Sequence, residues 1–249
     1  QYTGPYNRLL CKAAGQPPGA GFRPTADPLR EMMSKATALL LALAGIFSAV
    51  QAQAQDAVAG QKKSALCIGC HGIPGYQASF PEVHKVPMIS GQNAKYIAAA
   101  LAAYKKGERK HPTMYAIAAS MSEQDMADLG AHYEKHGQSS LKAVADTPAV
   151  APSAEVGALL AKGACASCHG ANFNKPIDGS YPKLAGQHAD YLNVALRSYA
   201  VQGNPKIGRG NAVMGAQVQQ FKRSELKAMA EYIASLPGNL QTVPQSKFR

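Results

Sequence analysis

The sequence predicts an all-α protein in which one helical domain is written twice. Three observations carry that expectation. Blocks of residues recur in the same order at a nearly constant spacing, apolar residues repeat at helical intervals, and no stretch shows the alternation of a half-buried strand. Cys67-Ile68-Gly69-Cys70-His71-Gly72 returns 98 residues later as Cys165-Ala166-Ser167-Cys168-His169-Gly170. Pro87-Met88-Ile89-Ser90-Gly91-Gln92 returns 95 residues later as Pro182-Lys183-Leu184-Ala185-Gly186-Gln187. Tyr96, Ile97, Leu101 and Tyr104, closed by Gly107, correspond to Tyr191, Leu192, Leu196 and Tyr199, closed by Gly203. Met114 corresponds to Met214, and Met126, Leu129 and Tyr133 to Leu226, Met229 and Ile233.

Each copy is expected to hold three main helices. Asp56 can cap a first helix that runs into the first Cys motif, and Asn93 a second that ends at Gly107. Ser122 with Asp125 three residues on has the pattern of a capping box for a third, ending at Gly137. Residues 138–155, with Ser139-Ser140 and the stretch from Pro148 to Pro152, read as a linker. The domains are therefore expected at 55–145 and 146–249, behind an upstream segment at 1–54.

That segment has its own logic. Residues 1–32 are rich in Pro and Gly and lack apolar periodicity. Met33-Ser34-Lys35 then begins an apolar run from Ala36 to Val50 that ends at Ala52-Gln53-Ala54. A basic start, about fifteen apolar residues and an A-x-A site make a secretory signal peptide, cleaved after Ala54. The run is short for a span of about 20 residues, and an uncleaved anchor is the alternative. Loss of residues 1–54 removes five Lys/Arg and two acids, so the formal charge falls from +11 to +8, with 21 basic against 13 acidic residues. Four haem carboxylates would bring it near +4, which weakens a nucleic-acid reading.

Of the five cysteines only Cys11 lies in the leader; the other four form the two C-x-x-C pairs, each followed by His. Cysteines three apart on a helical turn share a face. Their thiols can add to the two vinyl groups on one side of a haem, and the next residue can turn an imidazole onto the iron. C-x-x-C-H is the signature of c-type haem attachment. The sequence thus implies two covalently bound haems c, on Cys67, Cys70 and His71 and on Cys165, Cys168 and His169. A shared zinc site would leave both histidines without a role, and thioredoxin-like chemistry would need a βαβ context that is absent.

The sixth iron position decides between electron transfer and ligand chemistry. Met126 and Met229 fall at core spacing in the last helices, and Met121 reads as packing. Met114 and Met214 are the Met pair in equivalent loop positions and are the candidate ligands. Met88 is the rival in the first copy, although its counterpart is Lys183. His84, His111, His132, His136 and His188 have no His partner in the other copy and are read as surface or hydrogen-bonding residues.

With these motifs in place the sequence resembles the dihaem cytochromes c of the c4 family over nearly all of residues 56–236. The resemblance rests on both C-x-x-C-H sites, the Pro-x-x-x-Gly-Gln elements, the Tyr/Leu helix after each, and the Met eight residues before Ser122 and before Lys222. It implies two tandem class I cytochrome c domains, each wrapped around one covalent haem. It also implies a periplasmic carrier that takes electrons from a quinol-oxidising cytochrome bc complex or a flavoprotein dehydrogenase. Delivery would be to a haem-copper terminal oxidase or a reductase, and peripheral membrane association fits such a role. Two His/Met irons have no open position, so the expectation is an electron carrier and not an enzyme. The alternative is the haem subunit of an enzyme complex, such as a sulfide-oxidising flavocytochrome c. Lys105, Lys106, Arg109 and Lys110, with Lys206 and Arg209 in the second copy, are expected to form a basic rim that steers acidic partners.

Overall fold

Asp56 opens the first helix as expected, its carboxylate accepting from the N–H groups of Val58 and Ala59. In the computed structural model, which describes residues 54–140 and 143–244, that helix is α1 (Ala57–Lys63). The expected leader therefore lies almost wholly outside the described residues. The helix does not run on into the Cys motif. Ser64 ends α1, its hydroxyl donating to the Gln61 carbonyl (2.8 Å), and the chain restarts as α2 (Ala65–His71). The first repeat continues through α3 (Ala94–Lys105), α4 (Pro112–Ala119) and α5 (Glu123–Lys135). The second repeats the plan with α6 (Ala154–Lys162), α7 (Cys165–His169), α8 (Ala189–Tyr199), α9 (Ala212–Gln219) and α10 (Arg223–Ser235).

Among the described residues each repeat thus holds five α-helices where three main ones were expected, and two further features depart from the sequence expectation. Met114 and Met214 lie not in loops but in the first turns of α4 and α9. These short helices spread apolar residues around their circumference, so no stripe announces them; Pro112 at the start of α4 is their clearest signal. Four two-residue strands also form, too short for an alternation to be read: β1 (Gln77–Ala78) with β2 (His84–Lys85), and β3 (Arg109–Lys110) with β4 (Gly208–Arg209). The second pair joins the repeats, with Arg109 opposite Arg209.

The capping box at Ser122 and Asp125 is present. Asn93 stands at the N-cap of α3, but its amide instead donates to the Tyr181 carbonyl of the second repeat (2.9 Å). The core of the first repeat packs Ile97, Leu101, Met121, Met126, Leu129 and Tyr133. In the second, Phe173, Leu192, Ile233 and Leu236 form one cluster and Val218, Leu226 and Met229 another. Met121, Met126 and Met229 are buried, as their packing role requires.

α1 crosses α5 at Gly60, where a Cβ would stand 2.0 Å from the Asp128 carbonyl oxygen. The crossing is fixed by charge. Asp128, 2% exposed, accepts from Lys63 Nζ (2.8 Å), the Asp56 N–H (2.9 Å) and Gln124 (2.6 Å). In the linker, the Ala145 carbonyl accepts from Asn172 and that of Val150 from Tyr232 Oη, so its middle stretch lies on the second repeat. After α10 the chain returns to the first repeat, where the Gln241 N–H donates to the Ser90 carbonyl (3.0 Å). The described residues fall in one compact unit, and none of their helices is long and apolar enough to cross a membrane.

Candidate functional site

Cys67 and Cys70 project from one turn of α2, half-buried and unpaired; Cys165 and Cys168 do the same on α7. Burial pushes the Cys67 and Cys165 thiols up, so both stay protonated at neutral pH and lack the thiolate character of redox-active or metal-binding cysteines. The entries into the two motif helices differ. Ser64 precedes α2 in a helical conformation, whereas Ala164 precedes α7 at φ 45°, a left-handed position that strains a residue with a Cβ.

The two motif histidines are held alike. His71 Nδ1 lies 2.8 Å from the Pro87 carbonyl oxygen, and His169 Nδ1 lies 3.2 Å from that of Pro182. A carbonyl only accepts, so Nδ1 carries the proton and Nε2 keeps its lone pair. Burial pushes both imidazoles down, so they are neutral at pH 7. A neutral imidazole whose second nitrogen is anchored to a backbone carbonyl is the form that binds a metal. The proline of each Pro-x-x-x-Gly-Gln element thus orients an imidazole.

The glutamine that closes each element holds the other repeat. Gln92 Nε2 donates to the Lys183 carbonyl (2.9 Å) and its Oε1 accepts the Lys183 N–H (2.8 Å). Gln187 Nε2 donates to the Met88 carbonyl (2.9 Å) and its Oε1 accepts the Met88 N–H (3.0 Å). Met88 and Lys183 are equivalent positions whose backbone groups the glutamines hold alike, while the Lys183 ammonium makes a further bond to the Gly91 carbonyl (2.7 Å).

Cys67, Cys70, His71 and Met114 border one cavity of about 420 Å³, within the size range of ligand sites. Met88 borders it too. The cavity crosses the seam between the repeats and is also lined by Gln187, Tyr191, Leu192 and Arg209. The second set of motif residues does not line this space. Cys165 packs with the Phe173 cluster and Met214 with the Val218 cluster, and Leu160 and Leu196 touch both.

One expectation is corrected at the seam. Arg109 is not part of an exposed basic rim but is buried, with Nη1 donating to Tyr96 Oη (3.0 Å) and Nη2 to Tyr191 Oη (3.4 Å). Arg209 is half-buried and donates to the same Tyr191 hydroxyl (3.1 Å). Lys110 also turns inward, to the Asn204 carbonyl (2.6 Å). Lys105, Lys106 and Lys206 remain exposed. Recurrence was the available signal, since Arg109 with Tyr96 and Tyr104 is matched by Arg209 with Tyr191 and Tyr199. Of the remaining histidines, His84 bonds to the Glu82 carbonyl, His136 to Ser90 Oγ, and His111 caps α4, accepting from the Met114 N–H (3.4 Å).

A largely apolar cavity with two thiols on one helical face, a neutral imidazole, a thioether and a buried arginine side fits a covalently held haem. Such a group has vinyl carbons, an iron and an acidic edge to match these features. A family model described as Cytochrome c matches residues 154–237. The chain is 31% identical over 218 residues to cytochrome c4 of Azotobacter vinelandii, covering 82% of this chain and 100% of that protein. It is 31% identical over 214 residues to a protein of Stutzerimonas stutzeri (strain A1501) named thiosulfate dehydrogenase electron acceptor, covering 79% of this chain and 94% of that one. The solved cytochrome c4 of Acidithiobacillus ferrooxidans superposes with a TM-score of 0.52 at 25% identity, covering 70% of this chain and 99% of that chain.

Proposed function

The chain belongs to the cytochrome c4 family, electron carriers that bind haem c, and from that premise we propose that it is a periplasmic dihaem shuttle. Its two haems are attached through Cys67 and Cys70 and through Cys165 and Cys168. Their irons are held by His71 with Met114 and by His169 with Met214. Residues 55–145 and 146–249 are the two cytochrome domains, and residues 1–54 carry the export signal. The observation that carries the site reading is the pair of neutral imidazoles, each with Nδ1 on a proline carbonyl beside a C-x-x-C turn.

A haem c supplies a one-electron iron couple. The residues of the chain set its conditions. The proline carbonyls hold the imidazoles in the metal-binding tautomer, Met114 and Met214 would supply thioethers to the irons, a ligand type that favours the ferrous state, and the apolar wall around the first site would keep water away. The chain takes electrons from a quinol-oxidising complex or a dehydrogenase and passes them to a terminal oxidase or reductase. A second reading, as the electron-accepting partner of one dehydrogenase, is favoured by the likeness to the thiosulfate dehydrogenase electron acceptor.

The test is haem staining of the mature protein after denaturing electrophoresis. The band should keep its colour, Cys67→Ala and Cys165→Ala should each weaken it, and acid-acetone should extract nothing. Extraction of the pigment from the native protein refutes covalent attachment.

A further inference from the structure

Met114 and Met214 stand at the same place in two short helices, and the residue before each helix grips that place. α4 and α9 are eight residues long, and each methionine is the third. His111 precedes α4, and its Nδ1 accepts from the Met114 N–H (3.4 Å). Asn211 precedes α9, and its Oδ1 accepts from the Met214 N–H (2.9 Å). The backbone carbonyls of the same two residues take the next N–H groups, those of Tyr115 (2.8 Å) and Gly215 (2.9 Å). Residue type alone does not make such a cap. Asn93 and His188 hold the N-cap position before α3 and α8, and neither side chain bonds its helix.

The two caps hang on one frame. His111 directly follows β3 and Asn211 comes two residues after β4, so both leave the ladder that joins the repeats. The Gly210 N–H carries that ladder on to the Glu108 carbonyl (2.7 Å). The Phe80 ring also meets the His111 imidazole edge-on, with centroids 5.6 Å apart. His111 and Met114 both border the cavity of Cys67, Cys70 and His71. Helical side chains lean towards the N-terminus, so the point at which the first turn begins decides where the methionine sulfur lies. The N–H groups of that turn have no partner within the helix, and a cap is what holds them.

We propose that His111 and Asn211 are positioning residues for the two thioether ligands, each setting through one hydrogen bond how often its methionine leaves the iron. This rests on the reading of Met114 and Met214 as sixth ligands. The first turn is what carries the sulfur to the iron, so each unwinding of that turn opens the sixth position to an outside ligand. The share of time spent open sets the apparent affinity for such a ligand. Losing a cap bond raises that share about fivefold.

The experiment titrates the ferric, haem-loaded protein with free imidazole and follows the far-red sulfur-to-iron band. Met214→His removes the second iron's share of the band, so in that background the remainder reports the first iron alone. There His111→Ala should raise the apparent imidazole affinity about fivefold. His111→Asn, which copies the second repeat, should restore it. In the Met114→His background Asn211→Ala should do the same at the second iron, and Asn211→Asp should restore it. An affinity that does not rise in either alanine variant overturns the proposal, even where the guanidinium midpoint falls, because a cap with a structural role alone lowers stability and nothing else. No recovery in the Asn or Asp variant overturns it as well. Asn211 is exposed, so its removal leaves the fold intact. Should His111→Ala fail to mature, His111→Phe keeps a ring against Phe80 without an acceptor, and the same rise is required of it. A wild-type protein without the band sinks the ligand reading; a band that is present while the affinities stay put sinks only the positioning role.

Discussion

Gln187→Ala tests whether the two repeats are held together by a pair of glutamines. Gln187 is 4% exposed. Its Oε1 accepts from the N–H groups of Met88 (3.0 Å) and His188 (3.1 Å), and its Nε2 donates to the Met88 carbonyl (2.9 Å). Alanine removes all three bonds and strands the backbone polar groups of Met88 at the seam. At about 1 kcal/mol net per bond, and more where a buried partner is left unsatisfied, the loss is about 2–4 kcal/mol. Gln92→Ala should cost as much, because it mirrors the same pattern on Lys183 and Asn93. The assay is guanidinium unfolding of the haem-loaded protein, followed both by haem absorbance and by far-ultraviolet circular dichroism. Wild type should unfold in one transition. Each variant should unfold at lower denaturant, and the double variant should resolve into two steps as the repeats come apart. A loss below about 0.5 kcal/mol for either glutamine, the ordinary range for a surface change, refutes the idea that the glutamine pair holds the repeats together.

Three further outcomes are expected. Met114→His and Met214→His should each remove about half of the far-red sulfur-to-iron absorption of the ferric protein and lower one potential, while Met88→Leu should leave the absorption intact. Asp128 sits below the usual carboxylate range because Lys63, the Asp56 N–H and Gln124 outweigh the burial that would raise it. Its contribution to stability is present above the unfolded value near 4 and is lost as the pH falls through its lower folded value, so Asp128→Asn should flatten acid unfolding below about pH 4. Electron transfer to an acidic partner should slow with added salt, since exposed Lys105, Lys106 and Lys206 steer only over about 10 Å at 0.1 M; a salt-independent rate removes that role.

The duplication, the helical class and the Cys-His motifs were legible because each is a local pattern repeated in register. Capping at Asp56 and Ser122 was legible for the same reason, as it involves neighbours two or three residues apart. What the sequence hid depends on partners about a hundred residues away. Gln92 reads as an ordinary loop residue until Lys183 faces it. Arg109 reads as one member of a basic run until Arg209 pairs beside it and Tyr191 closes over its head. Asn93 has the side chain of a helix cap and spends it on Tyr181. The break at Ser64 was missed because Ser is compatible with a helix interior; here both its N–H and its hydroxyl turn onto the Gln61 carbonyl and close the helix. The Met-bearing helices were missed because eight residues with apolar side chains spread around the circumference carry no period.

The return of the chain after α10 has a practical consequence for handling this protein. Gln241 bonds to Ser90 and to the Gly137 carbonyl, and Asn239 accepts from Gln138, so the end of the second repeat forms part of the wall of the first. An affinity handle appended near this end pulls on both domains. It loads the edge beside Ser90 and Gly91 and, through Asn239, the Asn174 loop of the second repeat. Trimming back to Leu236 for crystallisation would strip that edge as well. The damage would surface as protease cutting around residues 90–92, far in sequence from the site of the engineering.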